Sequence, residues 1–219
     1  MYDVIKNDAG FIVAFLGAFQ IRMIQIIMVV CMLLWVTSFV DSGYLKSEDE
    51  AKSIYQNLFV FAVFGTCFLV PCIIKMSDHW HLGWCIGVAF LLRSIVFIFG
   101  FSSLEAPDTI WTFIMTLTML STTGVQSVSV ETYFSKIVPS DISGTMRGLY
   151  NFFGQVGVLI MTLLSGYLYD FWGPSSPFVI IGICDFLLAI ITITLCCFGR
   201  INPKNNNRTH LQSRHTDIT

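Results

Sequence analysis

The sequence predicts an all-α integral membrane protein: a bundle of six transmembrane helices with both termini in the cytosol. Composition is the first observation. Of 219 residues 55% are hydrophobic and only 12% are charged, with a mean hydropathy of +0.73. A water-soluble domain carries about 25% charged residues, so lipid must solvate most of these side chains. The second is the spacing of the apolar runs. A hydrocarbon core about 30 Å thick calls for runs of about 18 residues or more, and the chain holds six. Backbone groups in lipid must bond internally, which makes each run a helix. The third is the uneven distribution of Lys and Arg, which sets the orientation.

The chain opens on a polar segment, residues 1–10, too balanced in charge and followed by too long an apolar run to be a cleavable leader. The first span falls within 11–40, with Arg22 expected at its entrance. The second lies within 54–74. The third, within 82–101, carries Arg93 about 16 Å along the helix at ~1.5 Å per residue. The fourth, within 109–134, is the most polar on average. "TMLSTTGVQSVSVE" (Thr118–Glu131) interleaves hydroxyls and one amide with apolar side chains. The fifth, within 149–169, is rich in glycine (Gly154, Gly157, Gly166), and the sixth, within 177–198, buries Asp185. Residues 199–219 are polar and read as a disordered tail. The short connections leave no room for a soluble domain.

An even number of spans puts both termini on one side. That side collects Lys6, Lys75, Lys136, Arg147, Arg200, Lys204, Arg208 and Arg214, and the other only Lys46 and Lys52 among Glu48, Asp49 and Glu50. The excess of cations marks the cytosolic side. The sequon Asn207-Arg208-Thr209 then faces away from the glycosylation machinery. The seven cysteines lack metal-like spacing and read as small hydrophobes, with Cys196-Cys197 open to lipidation.

No constellation for catalysis is present. The histidines, His79, His81, His210 and His215, all fall outside the spans, and "HWH" is too sparse for a metal centre. Nucleophile elbow, phosphate-cradling glycine loop and HExxH are absent. The sequence therefore predicts no enzyme, no cofactor, no metal and no nucleic-acid partner.

Intramembrane polar groups carry the remaining signal, because charge in hydrocarbon is costly. Arg93 and Asp185 lie at equal depth and are expected to form a structural ion pair, with a proton or substrate relay as the alternative. Glu131, near the cytosolic surface, is a gating contact or an interfacial carboxylate. Gln126, with Ser127, Thr122 and Thr123, is expected to line a watery path. Close helix packing is the competing account of the hydroxyls.

These residues converge on a resemblance. "VETYFSKIVPSDISGTMRGLYNFFGQVGVLIMTLLSGYLYDFWGPSSPF" (Val130–Phe178) resembles helices ten to twelve of a major facilitator superfamily transporter: a polar helix end, a loop with Pro139 and the Arg147-Gly148 pair, a glycine-bearing helix, then G-x-L-x-D-x-x-G as Gly166, Asp170 and Gly173. "FLGAFQIR" (Phe15–Arg22) resembles the entrance to helix seven. "IIKMSDHWHLG" (Ile73–Gly83) occupies the loop between helices eight and nine, where Asp78 matches the family pattern while Ile74, His79 and His81 depart from it.

The resemblance implies half of a major-facilitator fold, similar to its C-terminal six helices, needing a second six-helix half: a missing N-terminal part, a second copy or another chain. It implies a carrier that moves a small solute by alternating access, with protons as a candidate coupling ion. Asp78, Glu131, Pro139, Arg147 and Gly148 would then act at the cytosolic gate or hinge. The alternative is a non-transporting membrane interaction or assembly subunit derived from such a half. Neither the solute nor the membrane is written in the sequence.

Overall fold

The computed structural model describes residues 9–77, 82–104 and 106–198. The polar tail 199–219, most of segment 1–10 and Asp78, His79 and His81 lie outside the described residues. Those described form six helices long and apolar enough to cross a membrane, with no strand among them. We number them α1 (Gly10–Asp41), α2 (Glu48–Ser77), α3 (Leu82–Ser103), α4 (Ile110–Ile137), α5 (Ser143–Trp172) and α6 (Ser176–Cys197). The protein is a multi-pass integral membrane protein. The end where α1 begins and α6 finishes is the near end below; the other is the far end.

Several helices outrun the apolar segments that announce them. α2 begins at Glu48, not near residue 54, because Ser47 and Glu50 form a capping pair. The Glu50 N–H donates to Ser47 Oγ at 3.3 Å and Glu50 Oε2 accepts from the Lys46 N–H at 2.9 Å. Such a reciprocal cap satisfies donors that a helix start leaves orphaned. α5 begins at Ser143, straight after a 3-10 turn, Ser140–Ile142, that follows Pro139. It ends at Gly173, whose φ of +92° closes the helix in a conformation that favours glycine. α1 and α3 each contain a π-helical turn, Ile27–Cys31 and Val96–Gly100.

The interior has two apolar cores. The far core packs Trp35, Phe97, Phe101 and Phe178, with the last two rings stacked at 4.5 Å. The near core packs Phe15, Phe90, Phe134 and Tyr150, with the last pair 4.5 Å apart. Between them in the chain, on four helices, come Gln20, Arg93, Gln126 and Asp185, none more than 2% exposed. A buried polar layer thus separates the two cores.

Glycines set the closest helix contacts. A Cβ on Gly157 of α5 would meet the backbone oxygen of Phe19 in α1 at 2.5 Å, and one on Gly182 of α6 would meet Ile98 Cγ1 in α3 at 2.7 Å. These approaches hold α1 to α5 and α3 to α6. By contrast α2 is scarcely enclosed, and its Phe64 and Phe68 are 66% and 74% exposed.

Candidate transport face and the buried polar layer

Arg93 and Asp185 stand near the middles of the two 22-residue helices, α3 and α6. The structure brings them together. Arg93 Nε donates to Asp185 Oδ2 at 2.7 Å and Nη2 to Oδ1 at 2.6 Å, and both residues are fully buried. The fork-to-carboxylate geometry is the strongest an ion pair adopts. The guanidinium carbon also lies 5.4 Å from the centre of the Phe90 ring. Gln20 joins this layer from α1, its Nε2 donating to the Ile181 carbonyl at 3.4 Å. Such a pair, matched in charge and sealed from the surface, ties α3 to α6, although Arg93 Nη1 has no hydrogen-bond partner among the described residues.

Gln126 departs from the expectation placed on it. It is fully buried inside this half, so it lines no open path, and both atoms of its amide lack a partner among the described residues. The hydroxyls around it spend themselves locally. Thr122 Oγ1 donates to the Thr118 carbonyl at 2.8 Å and Thr123 Oγ1 to the Met119 carbonyl at 2.7 Å, while Ser121 faces Thr66 of α2 at 3.4 Å. Ser127 is half-buried. Hydroxyls bonded back to their own helix can sit against a neighbour without water, and Gly124 packs against Val70 of α2. Packing accounts for the hydroxyls of α4, and the Gln126 amide is the polar group it leaves over.

The open polar surface lies elsewhere. Between the near ends of α4 and α5 is a cleft of about 570 Å³ whose walls include Glu131, Ser135, Lys136, Arg147, Tyr150 and Asn151. Tyr150 packs against Phe134 and Phe15 at the back of the cleft. Glu131 and Arg147 share the cleft, yet no ion pair within 4.0 Å joins them among the described residues. Gly148, the next residue on α5, is exposed with open space where a Cβ would stand, and so is Gly166. Pro139 precedes the turn that delivers α5 to the cleft. Asp170, in the last turn of α5, is exposed at the far end.

α5 extends this surface toward the far end. Gly144, Gly148, Asn151, Gln155, Thr162 and Gly166 fall within about 60° of one another on the helix wheel, and all are exposed. Beside that small, polar stripe runs a bulky apolar one that includes Leu163 and Phe171.

Arg22 adds a feature that sequence reasoning misplaced. It is not at the helix entrance but about 18 Å beyond Gly10 along α1, at ~1.5 Å per residue. It is half-buried and Nη1 donates to Gln25 Oε1 at 3.3 Å. Its stem fills the space left by Gly154 of α5, where a Cβ would meet Arg22 Cγ at 2.8 Å. Both Arg22 and Glu131 lie close enough to Tyr150 for their charges to act on its hydroxyl. The one advance signal was the Gly154–Gly157 pair, which marks where a helix must approach α5.

Comparison with known proteins follows the same outline. The family described as the Major Facilitator Superfamily matches residues 10–219. The magnetosome protein MamH of Paramagnetospirillum magneticum (strain ATCC 700264 / AMB-1) is 21% identical over 198 residues, which cover 89% of this chain and 45% of MamH. The chain therefore spans less than half the length of that relative. No solved structure matches it significantly.

Proposed function

Because the chain belongs to the major facilitator superfamily, whose members are membrane transporters, we propose that it works as one six-helix half of an alternating-access carrier for a small solute. A second six-helix half, from the same polypeptide or from another, would complete the path. The observation that carries this reading is the exposed polar face of α1, α4 and α5. Arg22, Gln25, Glu131, Asn151 and Gln155 are all at least partly open on helices that otherwise carry apolar side chains. Lipid is a poor solvent for such a face, whereas a facing half with water between them is a good one.

In this reading the near end is cytosolic, as the Lys and Arg distribution indicates, and the cleft of Glu131 and Arg147 is a gate contact. Arg147 stands in the first turns of α5 with its charge opposed to the helix dipole, so helix stability gives no reason for it. Arg147→Ala should therefore leave thermal stability within about 0.5 kcal/mol, as exposed substitutions do, and cut solute flux several-fold. The test uses proteoliposomes holding the complete carrier. Unchanged flux in that variant returns the cleft to an ordinary solvated surface, and absence of flux for every solute class tried sinks the carrier reading.

A non-transporting assembly subunit is the second reading. It is favoured by Ile74, His79 and His81, which stand where the family pattern has other residues.

A further inference from the structure

α1 carries two long polar side chains at nearly one depth on opposite faces. Gln20 turns inward to the Ile181 carbonyl and so belongs to the layer of Arg93 and Asp185, which lies at the middles of α3 and α6. Arg22 follows two residues later, about 200° around the helix and about 3 Å further along it. A guanidinium therefore stands near the middle of the membrane thickness, on the open side of this half.

Arg93, at that depth, is neutralised by a carboxylate. Arg22 is not. Among the described residues no carboxylate lies within 4.0 Å of it, and its side-chain hydrogen bond goes to the neutral Gln25. A guanidinium has five N–H donors, so one acceptor leaves most of its fork free. Cations inside membranes face partners or watery cavities, and an unpaired one marks a functional site. The seat is built. Gly154 admits the stem of Arg22 against α5, and a larger residue there would displace it. Gln25 gives its oxygen to Arg22 and carries two amide N–H groups as further donors. The cleft at the near end of this face carries the same sign, with Lys136 and Arg147 against the one carboxylate in its walls, Glu131.

We propose that Arg22, with Gln25, is the recognition point for the carried solute, and that this solute bears an oxyanion, either a carboxylate or a phosphate. The planar fork of Arg22 would hold two of its oxygens, and the Gln25 amide a third contact. This assignment rests on the carrier reading above and names the class of molecule carried.

The test is equilibrium binding to the complete carrier in nanodiscs, with inorganic phosphate, succinate, ethanolamine and glucose as probes. Phosphate, succinate or both should bind more tightly than ethanolamine and glucose; phosphate alone identifies a phosphate-bearing solute, and succinate alone a carboxylate. Arg22→Gln should weaken the binding anion by roughly 10- to 100-fold, the size expected for lost charge-assisted hydrogen bonds. Arg22→Lys keeps the charge and loses the fork, so it should fall between the two, and it serves if the glutamine variant does not fold. Gln25→Leu should cost several-fold.

Binding of neither anion above the neutral and cationic probes overturns the proposal, as does wild-type anion affinity in a folded Arg22→Gln protein. Flux separates it from the premise. Anion binding that depends on Arg22 without any flux removes the carrier reading and leaves the site. Flux of a cation or neutral solute that is indifferent to Arg22→Gln keeps the carrier and removes the site.

Discussion

Arg93 and Arg22 stand at nearly the same depth in the bundle and differ in what answers their charge. Arg93 is sealed between α3 and α6, matched by both oxygens of Asp185 and roofed by the Phe90 ring. Arg22 lies half-open on α1, seated on a glycine of α5 and bonded to a neutral amide. The same side chain at the same depth is in one place a cross-link and in the other an unanswered charge. Burial alone does not separate architecture from recognition. The presence or absence of a matching carboxylate does.

The largest expected effect tests the sealed member. Asp185→Asn leaves the Arg93 charge buried and unmatched, which costs about 3–5 kcal/mol when a buried pair loses one partner. Thermal denaturation in detergent should show a large drop in melting temperature and a lower folded yield. The double variant Arg93→Met/Asp185→Leu removes both charges with little loss of volume and should recover most of that stability, since apolar replacement of a whole buried pair is often neutral. If Asp185→Asn melts with the wild type, the pair does not lock α3 to α6 and the contrast with Arg22 fails. Arg22→Gln, by the same measurement, should stay within about 1 kcal/mol of the wild type, because its one hydrogen-bond partner, Gln25, is exposed and no buried charge is orphaned.

The glycines of α5 divide in the same way and should give the next largest effect. A methyl at Gly157 meets the backbone oxygen of Phe19, an atom that cannot rotate away, so α1 and α5 must separate. Overpacking of that kind costs about 1–3 kcal/mol. Gly148→Ala puts its methyl into open space, and the helix propensity of alanine should make it neutral or stabilising by up to about 1 kcal/mol. Melting curves of the two variants should move in different directions. Equal losses would mean that the open stripe of α5 is already covered.

How much of this could be read beforehand follows from what the solvent enforces. Lipid demands an unbroken apolar run for each helix, so the number and order of the spans are plain in the sequence. Their ends are less so, because reading stops at the first charges while capping carries the helix on, as Ser47 and Glu50 do for α2. Arg93 and Asp185 were legible as partners because counting residues gives depth. Direction around a helix is harder. Gln126 sits among polar residues at almost every angle of α4, so nothing in the sequence says that it points into the sealed interior. Arg22 failed for a different reason. A cation near the start of a span looks interfacial, and only the 32-residue length of α1 shows that it lies well inside.

The smallest effect belongs to a contact outside the spans, and it turns the comparison of answered and unanswered charge toward the far end. Tyr44, in the connection from α1 to α2, donates its hydroxyl proton to Asp108 Oδ1 at 2.9 Å, between two loops otherwise far apart in sequence. That hydrogen bond to a carboxylate favours the protonated phenol and holds Tyr44 above its ordinary range; the charge of Asp108 acts in the same sense. A group whose pKa is raised on folding contributes stability below its unfolded value and loses it as pH climbs through the folded one. The wild type should therefore melt slightly above Tyr44→Phe at neutral pH, with the margin closing only in strongly alkaline solution. Removing Asp108 as Asp108→Asn should shrink that margin at neutral pH, since a neutral acceptor holds the phenol more weakly than a carboxylate. A margin that stays constant across the alkaline range would show that the phenol and the carboxylate do not answer one another. The Tyr44 loop would then be held by its own local contacts, the Tyr44 and Leu45 N–H groups donating to the Phe39 carbonyl and the Tyr44 ring lying 6.0 Å from that of Phe39.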